Sequence, residues 1–387
     1  MAFPIKRKAF EMKRIFAAVF LAAMAAWSMP LSARDGLLRQ VADGVKFDPA
    51  SAPAYPGMSV RIIQRPDEKF KFLHDTMITV FKGRFYAAWY NCPEKECQVT
   101  SVIRGRSSDD GGKTWSGIID MAADPDPSWQ YVPPAFAQAD GKLYLMAPRS
   151  RKDVQTFEIF RLDEASGKWT HVRSLDSDFL ANTNGVLMDN GKMIVGGRHC
   201  KANKPAMLIF DSGTPESGAW HIAEMDPEKS SPPSYACPEA SLTVNGKQIL
   251  SYVRCSQMIA FWVYVSEDYG ETWKQYHHEI PVGKSKLNSG RLSDGRFYFI
   301  FNVRGFQRNR LFIAFTKPGE TKFSEFYTLR AGDDPALNAT PQWSYPCSVE
   351  HDGSLYITCT CRDASPEYRD IVKSACALIV LPLNRKP

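Results

Sequence analysis

The stretch Ser108-Asp109-Asp110-Gly111-Gly112-Lys113-Thr114-Trp115 occurs a second time as Ser266-Glu267-Asp268-Tyr269-Gly270-Glu271-Thr272-Trp273. Both copies fit the pattern S-x-D-x-G-x-T-W, which fixes five positions. Ser and Asp side chains hydrogen-bond nearby backbone amides and stabilise turns, and glycine adopts turn conformations that other residues resist. The tryptophan can anchor the turn in an apolar layer. We therefore expect two equivalent turns that mark repeated structural units.

A second repeat, a two-residue turn followed by an apolar strand, occurs six times along the chain. Its glycines are Gly83, Gly141, Gly191, Gly246, Gly295 and Gly353, which are 49 to 58 residues apart. Five of the six turns are Asp-Gly or Asn-Gly, the strongest two-residue hairpin signals. A third and a fourth strand follow most hairpins, and four strands per unit of this length are typical of a propeller blade.

The repeats predict an all-β fold, a six-bladed β-propeller of four-stranded antiparallel blades. We expect residues 34–387 to form this single domain. A strand over residues 58–63 is predicted to close the ring, and residues 375–381 are expected to complete the last blade or the closure.

The first 33 residues have the pattern of a secretory signal peptide. Five basic residues precede an apolar run over residues 15–27, and Leu31-Ser32-Ala33 offers a small-residue cleavage site. The apolar run is short for a membrane span, so a retained anchor is the weaker alternative. We expect a secreted or periplasmic protein with no integral membrane segment after removal of this peptide.

Composition excludes some classes of function. The signal-like segment carries a net charge of +4 out of the chain's +6, so the remainder carries only +2 and gives no argument for nucleic acid. Nine cysteines follow the segment, which fits an oxidising compartment, and Cys92 could pair with Cys97. Cys359-x-Cys361 lacks zinc-ligand spacing, and we expect no metal or cofactor. The chain is expected to act as a monomer.

Two sets of residues are predicted to meet at one end of the propeller channel, because the first strand of each blade begins where the second strand ends. The first set opens the innermost strands: His74-Asp75-Thr76, Tyr131-Val132-Pro133, Asn182-Thr183-Asn184, Cys237-Pro238-Glu239, Asn288-Ser289 and Trp343-Ser344-Tyr345. The second set follows the second strands: Asn91, Arg149, Arg198, Arg254, Arg304 and Arg362. Arginine forks suit carboxylates, sulfates and phosphates, so we expect an anionic ligand.

Over nearly all of the chain after residue 33, the sequence resembles the sialidase superfamily, in which S-x-D-x-G-x-T-W turns are known as Asp-boxes. The resemblance implies a tyrosine nucleophile, a glutamate as its base, three arginines that hold a substrate carboxylate, and an aspartate as acid/base. Pro238-Glu239-Ala240-Ser241-Leu242 resembles the glutamate strand, and Arg254 follows where one arginine is expected. Arg308 in Gln307-Arg308-Asn309-Arg310-Leu311 and Tyr345 in Ser344-Tyr345-Pro346 fall at two further positions. The resemblance implies a glycoside hydrolase that releases a terminal acidic sugar.

The chain departs from the family at two places. His74, with Asp75 beside it, stands where the first arginine is expected, and both are candidate catalytic residues. The loop expected to hold the acid/base, residues 91–98, offers only Glu94 and Glu96. Two alternatives therefore stay open. One is a polysaccharide lyase or a hydrolase that uses His74 or His199 on uronate-containing glycans, and the other is a sugar-binding propeller without activity.

Overall fold

The computed structural model describes residues 37–152, 154–226, 237–255, 261–304, 308–329, 341–363 and 374–383. The predicted signal peptide lies outside these ranges. The described residues form 26 β-strands in six small antiparallel sheets. The protein is a six-bladed β-propeller, as the turn repeat predicts. Within the described residues no helix is long and apolar enough to span a membrane.

The first three blades each run from an innermost strand outward. Blade 1 contains β2 (Phe72–Phe81), β3 (Arg84–Cys92), β4 (Val102–Ser108) and β5 (Ile119–Ala122). Blade 2 contains β6 (Gln130–Tyr131), β7 (Ala135–Ala139), β8 (Lys142–Arg151), β9 (Val154–Asp163) and β10 (Lys168–Leu175). Blade 3 contains β11 (Phe179–Ala181), β12 (Val186–Leu187), β13 (Met193–His199), β14 (Lys204–Phe210) and β15 (Trp220–Glu224).

The other three blades follow the same order. Blade 4 contains β16 (Thr243–Asn245), β17 (Gln248–Val253), β18 (Trp262–Ser266) and β19 (Lys274–His277). Blade 5 contains β20 (Asn288–Arg291), β21 (Phe297–Asn302), β22 (Leu311–Thr316) and β23 (Phe323–Leu329). Blade 6 contains β24 (Pro341–His351), β25 (Ser354–Asp363), β26 (Ser374–Pro382) and, as its outermost strand, β1 (Ser59–Gln64).

The innermost strands of blades 2 and 3 are each divided into two short pieces. In blade 2 the interruption contains Pro133 and Pro134, which have no N–H group to donate to the neighbouring strand. In blade 3 it lies between β11 and β12, where the backbone amides of Asn182 and Thr183 both bond the Gly196 carbonyl. These two blades therefore depart from the regular four-strand prediction at the channel.

The ring closes between the two ends of the described chain. Strand β1 pairs antiparallel with β26, with Ser59 opposite Val380 and Ile62 opposite Ala377. The predicted closing strand and the predicted completion of the last blade are both confirmed. Apolar side chains then fill the spaces between blades, as where Ile194 and Met207 of blade 3 meet Ile249 and Tyr264 of blade 4.

The two S-x-D-x-G-x-T-W segments form equivalent turns between the third and fourth strands of blades 1 and 4. In the second copy the Ser266 hydroxyl donates to Asp268 at 2.8 Å and accepts from the Gly270 amide at 2.9 Å. The Thr272 amide donates to Asp268 at 2.9 Å, and the Trp273 indole donates to the Gly270 carbonyl at 2.9 Å. The first copy repeats these contacts.

All nine cysteines are free thiols in the structure. Cys92 and Cys97, which could have paired, are both free thiols, the first buried and the second exposed.

Candidate active site

Glu239 and Arg254 are brought together by the first hairpin of blade 4. Ala240 forms an antiparallel bridge with Val253, and the Arg254 amide donates to the Glu239 carbonyl at 3.0 Å. The two side chains thus leave the same end of the blade, next to the channel. The sequence placed both residues at the ends of these strands, and the hairpin register explains why they meet.

Tyr345 completes a triangle with this pair. Its hydroxyl donates to Glu239 Oε1 at 2.9 Å, and Arg254 Nη1 donates both to the Tyr345 hydroxyl and to Glu239 Oε2, at 2.6 Å each. Tyr345 and Glu239 are each only 7% exposed. A phenol is thereby held between a carboxylate that can accept its proton and a cation that can stabilise its anion.

The backbone at Tyr345 has an unusual conformation. The register of β24 against β25 shifts between Ser344 and Cys347, which is a β-bulge, and Tyr345 lies in it with a φ of 58°. Non-glycine residues adopt this left-handed region rarely and at a cost. The bulge turns the tyrosine out of the regular alternation of β24.

Burial and neighbouring charges shift the pKa values of Tyr345 and Arg254. Burial, followed by the negative charge of Glu239, raises the pKa of Tyr345 well above its usual value, against the lowering effect of Arg254 and Arg308. Burial alone would lower the pKa of Arg254, but Glu239 raises it overall. At neutral pH Tyr345 is therefore a neutral phenol, which can ionise only as its proton leaves for Glu239.

His74 packs directly on the nucleophile candidate, with ring centroids of His74 and Tyr345 4.2 Å apart. Its Nδ1 lies 2.9 Å from the Thr360 hydroxyl. Burial, followed by the positive charges of Arg308, Lys286, Arg362 and Arg254, lowers the pKa of His74 well below its usual value. The imidazole is therefore neutral and a weak base.

The structure distinguishes the two glutamates of the loop between β3 and β4. Glu94 pairs with Lys71 at 2.6 Å, and both side chains are about half exposed. Glu96 Oε1 lies 4.0 Å from His74 Nε2 and accepts a hydrogen bond from the Tyr90 hydroxyl at 3.2 Å. Glu96 is thus the loop carboxylate that faces the site, and its side chain is 51% exposed.

The sequence matches the model of a known protein family. Residues 83–357 match the family model of the BNR repeat-like domain. The chain belongs to the BNR repeat-like family. No curated protein sequence matches it at a significant level.

Solved structures similar to this BNR repeat-like propeller include sialidases. A mutant of Trypanosoma rangeli sialidase displaying trans-sialidase activity superposes with a TM-score of 0.63 at 13% identity, over 86% of this chain and 60% of that chain. NanB sialidase from Streptococcus pneumoniae gives a TM-score of 0.65 at 12% identity, over 84% and 70%. A third is Trypanosoma rangeli sialidase in complex with 2,3-difluorosialic acid, described as a covalent intermediate, with a TM-score of 0.62 at 12% identity over 85% and 59%. The chain thus spans about 60% of the trypanosomal enzyme, and these identities establish the fold alone.

One group of arginines in the BNR repeat-like propeller lies around Tyr345 and Glu239. Arg308 Cζ lies 5.3 Å from the centre of the Tyr345 ring, and the Arg308 carbonyl accepts from the Trp343 amide at 2.8 Å, which ties it to β24. Arg362 is close enough to Arg308 for the two charges to interact, and burial together with Arg308 lowers the pKa of Arg362. Burial alone would lower the pKa of Arg198, but Cys200 and Glu239 raise it overall.

Arg149, a member of the predicted convergent set, is engaged away from Tyr345. Arg149 is paired with Asp124, with Nε to Oδ2 at 2.6 Å, and its guanidinium stacks over Trp129 at 3.7 Å. Arg304 is an exposed residue whose amide donates to the Pro281 carbonyl at 3.0 Å. A strand-end position was therefore not enough to identify the arginines that face Tyr345.

The other histidine candidate, His199, lies between two carboxylates and not beside Tyr345. His199 Nε2 is 2.7 Å from Asp178, and Nδ1 is 2.5 Å from Glu224. Among the residues that the structure describes, no group of three or more His, Cys, Asp or Glu side chains is arranged to hold a metal ion.

Sequence reasoning missed Lys286, which forms an ion pair with Asp75 beneath the Tyr345 ring. Asp75, predicted as a catalytic residue, is 4% exposed, and its carboxylate accepts a hydrogen bond from the Lys286 ammonium. A substrate therefore has almost no Asp75 surface to contact. A lysine two residues before a strand gives no sequence signal of burial, because most such lysines are solvated.

Proposed function

We propose that this BNR repeat-like propeller is a glycoside hydrolase of sialidase type that releases a terminal acidic sugar from glycans. The observation that carries the proposal is the Tyr345 hydroxyl, held between Glu239 and Arg254 at hydrogen-bond distances. The similar Trypanosoma rangeli sialidase with 2,3-difluorosialic acid, described as a covalent intermediate, supports a mechanism with a covalent step.

In the first step the Tyr345 oxygen attacks the anomeric carbon, and Glu239 accepts the phenolic proton over their 2.9 Å contact. The bond from the anomeric carbon to the leaving oxygen breaks as the sugar becomes attached to Tyr345. A neutral phenol with a neighbouring base suits this attack, because it brings no full negative charge near the sugar carboxylate. Arg254, at 2.6 Å, stabilises the charge that develops on the phenolic oxygen.

Glu96 is our candidate for the acid/base. As a carboxylic acid it gives its proton to the leaving oxygen, and as a carboxylate it then takes a proton from the water that releases the sugar. Its half-exposed side chain on the loop beside His74 suits a group that meets both the leaving group and solvent. Glu239 returns the proton to Tyr345 at the end of the cycle.

Arg254, Arg308 and Arg362 are the groups we expect to bind the acidic part of the sugar. The Nε atoms of Arg254 and Arg362 are buried and donate to no group of the described protein. An anion between these arginines would satisfy such donors, and would offset the repulsion that lowers the pKa of Arg362. Arg198, beside Glu239, is expected to contact a more distant part of the substrate.

We also infer that the protein is exported and acts as a monomer. The basic and apolar pattern of residues 1–33 supports export. Amino-terminal sequencing of the mature protein should begin at Arg34, and a start near residue 1 would contradict processing. Light scattering should give the mass of one chain.

The proposed function is tested by product analysis with the Tyr345→Phe variant. Mass spectrometry of the products from sialylated and uronate-bearing glycans should show release of one acidic sugar by the natural protein. Tyr345→Phe should reduce kcat/KM by about 10³-fold or more. Tyr298→Phe is a matched control, because this buried tyrosine bonds Ser348 outside the site, and it should retain turnover.

The same assay distinguishes the alternatives. A lyase that uses His74 would give products with the ultraviolet absorbance of an alkene conjugated to a carboxylate. A binding propeller would retain glycan but form no product. Unchanged turnover by Tyr345→Phe would remove this tyrosine from the mechanism.

A further inference from the structure

A fully buried ion pair lies beneath the proposed nucleophile. Lys286, two residues before β20 of blade 5, is 0% exposed, and Asp75 in β2 of blade 1 is 4% exposed. The Lys286 ammonium donates to the Asp75 carboxylate. The pair therefore connects blades 5 and 1 across the inner edge of blade 6, which carries Tyr345.

Tyr345 and Asp75 occupy corresponding positions in neighbouring blades. The register of β2 against β3 shifts between His74 and Met77, as that of β24 shifts around Tyr345. Asp75 has a φ of 51° and Tyr345 a φ of 58°, so each lies in a bulge with left-handed backbone. The Lys286 ammonium is 5.5 Å from the centre of the Tyr345 ring, within the range of a cation–π interaction.

Stability alone does not explain why two charges are kept here. Removing two ions from water costs more than their attraction returns in many proteins, and apolar replacements are often neutral or stabilising. Burial raises the pKa of Asp75 to about 6 even though Lys286 lowers it. Because the folded protein holds this proton more tightly than the unfolded chain, Asp75 makes the fold less stable as pH rises from about 4 to 6.

We propose that the Lys286–Asp75 pair is a positioning element for the reaction, which holds the Tyr345 bulge and sets the charge beneath its ring. The proposal rests on the proposed function, in which Tyr345 is the nucleophile. Lys286 and Asp75 are almost fully buried, so neither group contacts the substrate. The charged and titratable groups that act on Tyr345 or Asp75 include Glu239 and Arg254 of blade 4, Arg308 and Lys286 of blade 5, His74 and Glu96 of blade 1, and Cys347 of blade 6.

The test is a double variant, Asp75→Asn with Lys286→Met, which removes both charges and leaves neither one unpaired. We expect the melting temperature to equal or exceed that of the natural protein, by a margin that grows from about pH 4 to 6. We expect kcat to fall by about 10- to 100-fold, with KM within about threefold, because the nucleophile is displaced while the substrate groups remain.

The matched control removes an ion pair on the rim of blade 1. Arg104 and Asp67 are 2.7 Å apart. Arg104 also reaches Asn91 at 3.4 Å, but it bonds neither Tyr345 nor the Glu239 and Arg254 groups that hold it, so Arg104→Met with Asp67→Asn should leave kcat unchanged. A Lys286–Asp75 double variant with natural kcat would overturn the proposal. So would a double variant that loses kcat only in proportion to a loss of folded protein.

A measurement without substrate separates this proposal from the proposed function. Carbon-13 NMR of labelled tyrosine, with the Tyr345 signal assigned by its loss in Tyr345→Phe, should show that signal displaced in the double variant but not in the control. A displaced signal in a protein that turns over no glycan would refute the proposed function and leave the positioning role standing. An undisplaced signal in an active enzyme would refute the positioning role alone.

Discussion

The S-x-D-x-G-x-T-W turns and the Tyr345 site are both built from hydroxyl and carboxylate groups, but their bonds cover very different lengths of chain. In the second turn, Ser266 reaches Asp268 and Gly270, two and four residues away. In the site, Tyr345 reaches Glu239 over 106 residues. A turn of this kind forms from its own residues, whereas the site exists only when four blades are assembled. We therefore expect changes in the turns to affect stability and changes in the site to affect activity.

Among the changes that distinguish the site from the turns, Glu239→Gln should cause the greatest loss of kcat. The amide keeps the shape but cannot accept the phenolic proton, so kcat should fall by about 10³-fold with little change in KM. Glu158→Gln is the matched control, because Glu158 is also buried and bonded, to His171 and Ser174 in blade 2. It should lose stability and keep kcat, and equal losses of kcat in the two variants would contradict the division between site and scaffold.

A smaller effect separates the two glutamates of one loop. Glu96→Gln should lower kcat on an ordinary glycan by about 10²-fold, because the leaving oxygen is no longer protonated. Glu94→Gln should change it by less than about twofold, since it removes only a surface ion pair with Lys71. A substrate whose leaving group needs no proton should restore much of the first step in Glu96→Gln. No such restoration would show that Glu96 is not the acid.

His278, which lies outside both the turns and the Tyr345 site, should make the stability of the fold depend on pH. His278 is fully buried, both ring nitrogens lack a described partner, and burial lowers its pKa to about 3. The unfolded chain takes up the proton below about pH 6.5 while the folded protein does not, so stability falls as pH falls. His278→Phe, packed against Tyr252 and Phe299, should regain about 2 kcal/mol at about pH 5. Urea unfolding at pH 5 and pH 8 measures this, and an equal gain at both would contradict it.

The smallest effect is expected in the turns. Ser266→Ala removes a buried hydroxyl that bonds Asp268 and Gly270, and should lower the free energy of unfolding by about 1–2 kcal/mol. Ser108→Ala should act similarly, and the two losses should add because the turns are in separate blades. Turnover per folded molecule should stay at the natural value, and a loss of kcat would link the turns to the site.

The same difference in range decides what the sequence could predict. The Asp-Gly and Asn-Gly turns are local, so the six blades, their hairpins and the closing strand β1 followed from spacing alone. Tyr345, Glu239 and Arg254 each stand at a strand end that the repeat locates, and the resemblance to the sialidase superfamily singled them out from the other strand-end residues. Lys286 could not be predicted, since its burial depends on Asp75, 211 residues away.

Side-chain direction limited the other predictions. Arg149 and Arg362 occupy equivalent strand ends. Arg149 is paired with Asp124 and stacked on Trp129, whereas Arg362 lies beside Arg308. Glu94 and Glu96 are equally suitable by spacing, and only the position of Lys71 and His74 distinguishes them. Choices of this kind depend on neighbours from other blades, which a repeat pattern does not specify.

Covalent attachment of the sugar to Tyr345 can be shown by trapping the sugar on the enzyme. A fluorinated analogue of the released acidic sugar, with a good leaving group, should slow the second step and leave the sugar on the enzyme. We expect a protein heavier by one sugar residue, with the added mass on the peptide that contains Tyr345, and no such adduct on Tyr345→Phe. An adduct on Glu239 or Glu96, or a rapidly turned-over substrate that leaves no adduct on any residue, would contradict covalent attachment to Tyr345.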